Sequence, residues 1–202
     1  MLRMYRKGIS ILSIISFTIF LMFLNIVSSS FGPELVQKTT GQSDVQKDYS
    51  FIRKWGSYGT GDGQFNLPIS LIIDSKGNII VNDRGNSHIQ KFDTNGKLLL
   101  KFGATGTDDG QFSEMEHIAV DKFDNIYVND PQSGPSGSGN PRIQKFDTNG
   151  NFITKWGSYG SGDGQFVDPE HLTVDSEGNV YVSDRHNNNI QVFAPVNSSL
   201  QD

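Results

Sequence analysis

Two Glu-His pairs are the residues of this sequence whose types and spacing could hold a metal ion. Glu116-His117 and Glu170-His171 lie 54 residues apart, at equivalent positions in two similar stretches of chain. Imidazole nitrogens and carboxylate oxygens are ligands that zinc takes in proteins. In the alternative interpretation, each pair lines a solvated channel mouth, with its histidine hydrogen-bonded to a neighbouring carbonyl. We prefer this alternative, because two isolated pairs are a common coincidence.

Three Asp-Gly-Gln-Phe loops are a second candidate for cation binding. Their aspartates, Asp62, Asp109 and Asp163, occur at one place in three similar stretches. Carboxylate oxygens suit calcium, but the loops lack the alternating oxygen ligands of an EF-hand. Aspartate and glycine also favour tight turns, and turn formation is the preferred interpretation. The sequence therefore predicts no cofactor, with zinc or calcium as the alternatives.

The candidate residues belong to a repeat that fills the chain after residue 50. Residues 51–65 return as 98–112 and as 152–166. The period is 47 residues and then 54, and the difference of 7 lies in a Gly/Ser/Pro-rich insertion at 131–141. A repeat of this length is one supersecondary unit that must stack on its neighbours. We place the units at about residues 66–112, 113–166 and 167–202.

Each unit divides into four short apolar runs separated by turn signals, which predicts four strands. In the second unit the predicted strands are His117–Val120, Asn125–Asn129, Arg142–Phe146 and Phe152–Trp156. Several runs are apolar throughout, so both of their faces should be covered. The sequence thus predicts an all-β fold of four-stranded antiparallel blades stacked face to face, as in a β-propeller. Aromatic residues that recur in register should form the core between blades.

The third unit carries a motif that resembles a known family. It reads Pro169-x-x-Leu172-x-Val174-Asp175, then Gly178-Asn179-Val180-Tyr181-Val182-x-Asp184, then Asn187-x-x-Ile190-Gln191-Val192-Phe193. This is similar to the NHL repeat, which usually has Asn-His-Arg-Ile where the last part begins. The resemblance covers about residues 51–194 and implies a β-propeller, typically of six blades.

The strand count predicts an incomplete ring. Residues 51–65 supply one extra strand, Phe51–Trp55, and the three units supply four, four and three strands. The total makes three whole blades, whereas closed propellers need about four to eight. Two chains joined head to tail would form a six-bladed homodimer, in which each N-terminal strand completes the last blade of the other chain. Association with another propeller fragment is the alternative.

The resemblance implies that the first strand of each unit is innermost. The loops between second and third strands would then share one rim, the top, with the loops between blades. We predict a non-enzymatic binding or scaffold module that recognises a protein, peptide or glycan there. The predicted partner-facing residues are Arg84, His88, Asp130, Arg142, Arg185 and His186.

An enzyme is the alternative function. Some NHL-like propellers are metal-dependent enzymes, including peptidylglycine α-amidating lyases, whose zinc-binding histidines directly follow the motif proline. Here Glu170 follows Pro169 and the histidine comes one residue later. A shift of one residue along a strand turns a side chain to the opposite face. The lyase site is therefore not carried over, although a lyase- or lactonase-like site at the channel mouth stays an alternative.

The N-terminus and the charge balance indicate the compartment and exclude some partners. Residues 1–30 begin with three basic side chains and continue as an apolar run, which predicts a signal peptide or a helical membrane anchor. Residues 31–50 should form a polar tether, and the domain at 51–202 should lie outside the cytoplasm, secreted or membrane-anchored. After residue 30 the chain has 14 basic and 22 acidic residues. This balance disfavours nucleic acid, and the lack of cysteine excludes thiolate zinc sites.

Overall fold

The computed structural model describes residues 48–131 and 140–196. The predicted N-terminal helix, most of the tether and the loop insertion lie outside these residues. No helix among the residues described is both long and apolar enough to cross a membrane. The chain divides into two compact units, Met1–Ile52 and Arg53–Asp202. Of the first unit, residues 48–52 are described, and they are exposed and without regular secondary structure.

The second unit is built of β-strands, with one short 3-10 turn at Arg84–Asn86. The strands are β1 (Pro68–Ile73), β2 (Ile79–Asp83), β3 (His88–Phe92), β4 (Leu98–Phe102), β5 (Ile118–Val120), β6 (Ile126–Asp130), β7 (Arg142–Phe146), β8 (Phe152–Trp156), β9 (Pro169–Val174), β10 (Val180–Asp184) and β11 (Asn189–Phe193).

The strands form three antiparallel meanders, in which neighbours along the chain are neighbours in the sheet. The first sheet has the order β1-β2-β3-β4, the second β5-β6-β7-β8 and the third β9-β10-β11. The prediction of four-stranded antiparallel units is confirmed, and β7 and β8 have the predicted bounds. The predicted strand Phe51–Trp55 is not a strand in this structure. The physical reason is that a strand needs a hydrogen-bonded neighbour, and among the described residues this segment pairs with no strand of its own chain.

An aspartate at the start of each hairpin turn explains where the strands end. Asp74 Oδ1 accepts hydrogen bonds from Lys76 N (2.9 Å) and Asn78 N (2.8 Å), and its Oδ2 accepts one from the Asn78 amide (2.8 Å). These side-chain hydrogen bonds take the place of the backbone bonds between strands, so the strand ends and the chain reverses its direction. The bonds to the two backbone N–H groups recur at Asp93, Asp121, Asp147 and Asp175.

Aromatic side chains in register join each sheet to the next. Phe102 of the first sheet lies 5.0 Å, between ring centroids, from Phe146 of the second. Trp156 of the second sheet lies 5.7 Å from Phe193 of the third. Two buried clusters fill the spaces between the sheets: one contains Ile80, Ile118 and Phe146, and the other Tyr127, Leu172 and Val182. The predicted inter-blade core is therefore present.

The first and last sheets each leave one apolar face uncovered. Ile118 and Leu172 are 0% and 3% exposed, yet Leu71, at the same position of the first sheet, is 68% exposed. On the opposite face, Ile89 and Ile143 are fully buried, whereas Ile190 of the third sheet is 68% exposed. Equivalent residues differ because the inner faces are packed against a neighbouring sheet and these two faces are not.

Candidate functional site

A buried aspartate at the end of the second strand of each sheet ties two sets of loops into one rim. Asp83 Oδ1 accepts from Asn66 N (2.6 Å), Asp130 Oδ1 from Glu114 N (3.0 Å), and Asp184 Oδ1 from Asp168 N (3.1 Å). Each bond holds the loop that enters a sheet against the end of that sheet's second strand. The loops between sheets therefore share one end of the molecule with the loops that follow β2 and β10, as the sequence predicted.

The described rim carries a group of charged side chains, which we call the rim cluster: Arg84, Glu116, His117, Asp168, Glu170, His171, Arg185 and His186. Arg84 Nη1 lies 2.9 Å from Glu116 Oε1, which links the first sheet to the second. Arg185 binds Glu170 Oε1 at 3.0 Å through Nη1 and Asp168 Oδ2 at 2.7 Å through Nε. His186 Nδ1 lies 2.8 Å from Asp168 Oδ2. The cluster is thus a set of alternating ion pairs that spans three sheets.

The carboxylates of the cluster lie close enough to influence one another. Burial raises the pKa of Glu116, and the negative charges of Glu170, Glu114 and Asp168 add to this effect, while Arg84 opposes it. The hydrogen bond from Arg185 to Asp168, and then the charges of Asp168 and Glu170, raise the pKa of Arg185. Counting Glu114, this part of the rim holds four carboxylates and two arginines, so its field is negative while the histidines are neutral.

Two histidines face each other at the innermost edge of the rim. The ring centroids of His117 and His171 are 4.7 Å apart, and the ring planes are inclined by 36°. Burial lowers the pKa of His117, and a charge on His171 would lower it further. Two imidazolium rings at this distance would repel, which is why a charge on His171 disfavours protonation of His117.

The four predicted metal ligands do not converge. The two histidines meet, but Glu116 and Glu170 are turned to Arg84 and Arg185. Within residues 48–131 and 140–196, no group of three or more His, Cys, Asp or Glu side chains could hold a metal ion. The arginines compete for the carboxylates, so the metal site at these four residues stays an alternative that metal analysis must test. What the arrangement offers instead is a set of paired donors and acceptors for a polar ligand.

Three of the six predicted partner-facing residues are buried. His88, Asp130 and Arg142 are at most 6% exposed. Arg142 Nε lies 3.2 Å from Asp130 Oδ2, and its guanidinium also donates to the carbonyls of Thr107, Asp108 and Gln111. His88 Nε2 lies 3.0 Å from Asp83 Oδ2. This corrects the prediction, because these groups face inward to fix the loops. Arg84, Arg185 and His186 lie at the surface.

The Asp-Gly-Gln-Phe loops are held by a glutamine of the third strand. Gln90 Oε1 accepts from Gly63 N (2.9 Å), and its amide donates to Gln64 O (2.7 Å). Gln144 and Gln191 make the same two kinds of bond. Asp62 and Asp109 are paired with Lys101 and Lys155. These contacts support the interpretation of the loops as turns rather than as calcium sites.

Asp168 is the functional residue that the sequence reasoning missed. It joins Arg185 and His186 in one network. The signal was present, because Glu114 and Asp168 hold one position of the repeat, directly before the Met115 and Pro169 positions. An acidic residue there adjoins the Glu-His pairs, and only the folded rim shows that it turns to the loop after β10.

Comparison with protein families gives two matches. Residues 166–193 match the NHL repeat, and residues 59–133 match a family described as a 6-bladed β-propeller. Together these matches cover parts of all three sheets.

Similar proteins match over one repeat length. The human E3 ubiquitin-protein ligase TRIM32 is 48% identical over 48 residues, which is 24% of this chain and 7% of TRIM32. Human NHL repeat-containing protein 3 is 43% identical over 49 residues, 24% of this chain and 14% of that protein. The chain thus spans a small part of these relatives.

Two solved structures resemble part of this chain at low sequence identity. A protein of unknown function from Bacteroides thetaiotaomicron has a TM-score of 0.48 and 18% identity, over 61% of this chain and 34% of that one. Virginiamycin B lyase from Staphylococcus aureus has a TM-score of 0.42 and 12% identity, over 64% and 42%.

Proposed function

Because this chain is an NHL-repeat β-propeller protein, we propose that it is a binding and scaffold module that recognises a protein, peptide or glycan at its top rim. Short loops on a rigid frame suit recognition, because the frame fixes them before a partner arrives. The names of similar proteins, a ubiquitin ligase and an NHL repeat-containing protein, are compatible with an interaction role for such repeats. Since the chain spans a small part of those relatives, the proposal concerns this domain alone.

The observation that carries the proposal is the rim cluster. Arg185 and His186 are largely exposed, and both are held in place by Asp168. Arg84 is similarly held by Glu116, at about one-third exposure. Ordered charged groups lose little side-chain entropy when a ligand binds. The excess of carboxylates favours ligands that carry cationic or hydroxyl donors, such as basic peptides or sugars.

The test is binding of the full chain to a peptide library and a glycan array, with charge reversal at either end of the sheets. Asp168→Lys replaces a rim carboxylate by a cation and breaks the pairs with Arg185 and His186, so it should abolish the binding that the parent shows. Lys122→Glu is the matched control, because Lys122 lies in the exposed hairpin after β5, at the opposite end. Equal binding by all three proteins, or loss in the Lys122→Glu chain alone, would refute recognition by the rim.

The location outside the cytoplasm is part of the proposal. It is supported by the basic side chains and the apolar run at 1–30, since positive charge keeps the N-terminal side cytoplasmic. A tag after residue 202 should be digested by protease added to intact cells, either in the membrane fraction or after secretion. A tag protected until the cells are broken would refute this location.

We further propose that two chains close a six-bladed ring. The uncovered faces with Leu71 and with Ile190 support it, because exposed apolar sheet faces tend to associate. A standard interface buries about 1,600 Å², which at about 25 cal/mol/Å² is a gross free-energy gain of tens of kcal/mol. This gain exceeds an association cost of roughly 4–15 kcal/mol. Light scattering of the full chain, corrected for bound detergent, should give a dimer at micromolar concentration. A stable monomer would refute the ring.

A further inference from the structure

The third sheet has an open slot where the first and second sheets have a fourth strand. A cavity of about 500 Å³ lies beside β11, and Tyr127, Ile153 and Trp156 of the second sheet form one wall. Val180 and Phe193 of the third sheet form part of the other. Within the described residues, the outer edge of β11 pairs with no strand, because β11 is hydrogen-bonded to β10 alone. The slot therefore offers both an apolar cleft and free backbone donors and acceptors.

The equivalent space between the first and second sheets shows what fills such a slot. Phe152, at the start of β8, packs against the core cluster between those sheets and lies 6.0 Å from Phe146. The residue at the Phe152 position in the N-terminal tract is Phe51. Phe51 is 80% exposed and Ile52 is 88% exposed. These two large apolar residues are therefore exposed to solvent, although they belong to a segment whose sequence matches that of a fourth strand.

The register of the pairing is the same in both complete sheets. Lys91 pairs with Leu100, and Phe92 with Leu98. In the second sheet Lys145 pairs with Thr154, and Phe146 with Phe152. Transferred to the third sheet by position in the repeat, this register pairs Val192 with Arg53 and Phe193 with Phe51.

Trp55 packs on the first sheet of its own chain in the same way as the aromatic residue of a fourth strand packs on the sheet that follows it. Its ring lies 6.3 Å from Phe92, as Phe102 lies 5.0 Å from Phe146 and Trp156 lies 5.7 Å from Phe193. In each of the latter pairs, the aromatic residue of a fourth strand packs on the sheet that follows. Trp55 is therefore occupied at the first sheet of its own chain, so the strand that enters the slot must come from a second copy.

Charge is complementary across the proposed junction. In the two complete sheets a lysine of the fourth strand pairs with the aspartate of the Asp-Gly-Gln-Phe loop: Lys101 with Asp62 at 3.6 Å, and Lys155 with Asp109. The third loop has Asp163, which forms no ion pair among the described residues. The lysine at the matching position of the repeat is Lys54.

We propose that the slot beside β11 binds residues Phe51–Trp55 of a second copy of this chain as the fourth strand of its third sheet. Phe51 fills the cleft against Tyr127 and Trp156, Arg53 lies opposite Val192, and Lys54 pairs with Asp163. This inference rests on the proposed ring, and it adds the binding site, its contacts and the register. It also explains why these exposed apolar residues stand next to a polar tether.

Disulfide trapping tests the register, because the parent chain has no cysteine. Two differently tagged full-length chains, one with Arg53→Cys and one with Val192→Cys, are mixed and oxidised. Paired residues on antiparallel strands have Cα atoms about 4.5–5.5 Å apart, which a disulfide spans. We expect a covalent dimer carrying both tags, and none from either chain alone. Tyr49→Cys is the control partner for Val192→Cys, since four residues shift the position by about 13 Å.

The outcomes separate the slot from the ring. A dimer by light scattering with no disulfide, or with equal trapping at position 49, overturns the register and leaves the ring standing. A monomer overturns both. Trapping within one chain when both substitutions are combined, or trapping of Val192→Cys by a cysteine placed in 197–202, shows that the chain fills its own slot and also overturns the proposal.

Side-chain substitutions provide an independent measurement. Phe51→Ala should raise the dimer dissociation constant at least about tenfold for each junction, as truncation of a buried aromatic anchor does. Tyr49→Ala, at a fully exposed aromatic residue two positions earlier, should leave the dissociation constant unchanged. Asp163→Lys should weaken the dimer, and adding Lys54→Asp should restore it, whereas Asp109→Lys should have no effect on assembly. Equal effects of Phe51→Ala and Tyr49→Ala would contradict the proposed occupant.

Discussion

Substitution of Arg142 tests whether the buried charged residues near the rim stabilise the fold, while the exposed ones are available for a ligand. We consider Arg142→Met, which keeps the apolar stem and removes the guanidinium. Arg142 is 2% exposed and binds the Asp130 carboxylate and three backbone carbonyls. The substitution leaves a buried carboxylate and carbonyl groups of the loop at 104–112 without a donor.

The magnitude follows from these contacts. Removing one partner of a buried ion pair costs about 3–5 kcal/mol. Asp130 keeps the bonds from Ser113 N and Glu114 N, so we expect the lower half of this range. For a domain of about 150 residues, 1 kcal/mol shifts Tm by about 2–4 °C. Arg142→Met should therefore lower Tm by about 10 °C. Arg142→His should recover part of this loss, because His88 bonds the equivalent Asp83 in the first sheet.

The assay is thermal and urea unfolding of the full chain, followed by tryptophan fluorescence at one fixed protein concentration. Fixing the concentration matters because stability is coupled to any association. Arg185→Met is the matched control: it loses two carboxylate partners where Arg142→Met loses one, but the Arg185 side chain is 64% exposed. It should leave Tm almost unchanged and impair ligand binding. A parent-like Tm for Arg142→Met, or an equal loss in both variants, would refute the assignment of Arg142 to the frame.

Three further predictions concern protons and metals. Burial lowers the pKa of His117 and of His88 below 6.5. The stability that each neutral ring contributes is therefore present above pH 6.5 and is lost as the pH falls from there through the lowered pKa of the folded state. In acid titrations followed by unfolding, His117→Gln should flatten this loss. Burial raises the pKa of Asp74, but the bonds from Lys91 and Asn78 outweigh it and lower the pKa from 3.8 to about 2, which is worth about 2.4 kcal/mol. Lys91→Met should remove much of that stability at pH 7, and the difference in the free energy of unfolding between parent and variant should shrink below pH 3.8. Lys145→Met should cost less, because Lys145 Nζ lies 3.7 Å from Asp121 Oδ2. Elemental analysis of the purified chain should find no stoichiometric zinc; one zinc per chain, lost in a His117→Ala/His171→Ala variant, would favour an enzyme.

The strands and their order were predicted well from the sequence, because they depend on residues that are close together in the chain. The hairpins follow from Asp and Asn or Gly at fixed spacing, and the sheet order follows from those hairpins. The strand bounds of the second unit were correct at β7 and β8. The predicted starts of β5 and β6 were one residue early, and so was the predicted end of β6, whereas the end of β5 was correct.

The fate of individual polar residues could not be predicted, because it depends on which atoms the fold brings together. Glu116 and Glu170 had the chemistry of ligands, but two arginines distant in sequence neutralise them. Arg142 and His88 were placed correctly next to the rim, and yet their side chains turn inward to an aspartate at the end of the strand before. A one-dimensional pattern gives the end of a strand, but not whether a long side chain at that end faces water or the loop behind it.

Internal comparison of the repeats separates frame from surface more reliably than residue type does. The rim aspartates at the end of each second strand and the glutamines that hold the loops are the same residue in every unit, and they accept a hydrogen bond from the same backbone position in each. Positions that change include those of the inner rim, where Ser70 is followed by His117 and His171, and Ile69 by Glu116 and Glu170. In a protein built of repeats, identical positions satisfy the requirements of stacking, which every unit shares. A position freed from that requirement can differ from unit to unit, so the variable inner rim is where a specific ligand would be distinguished.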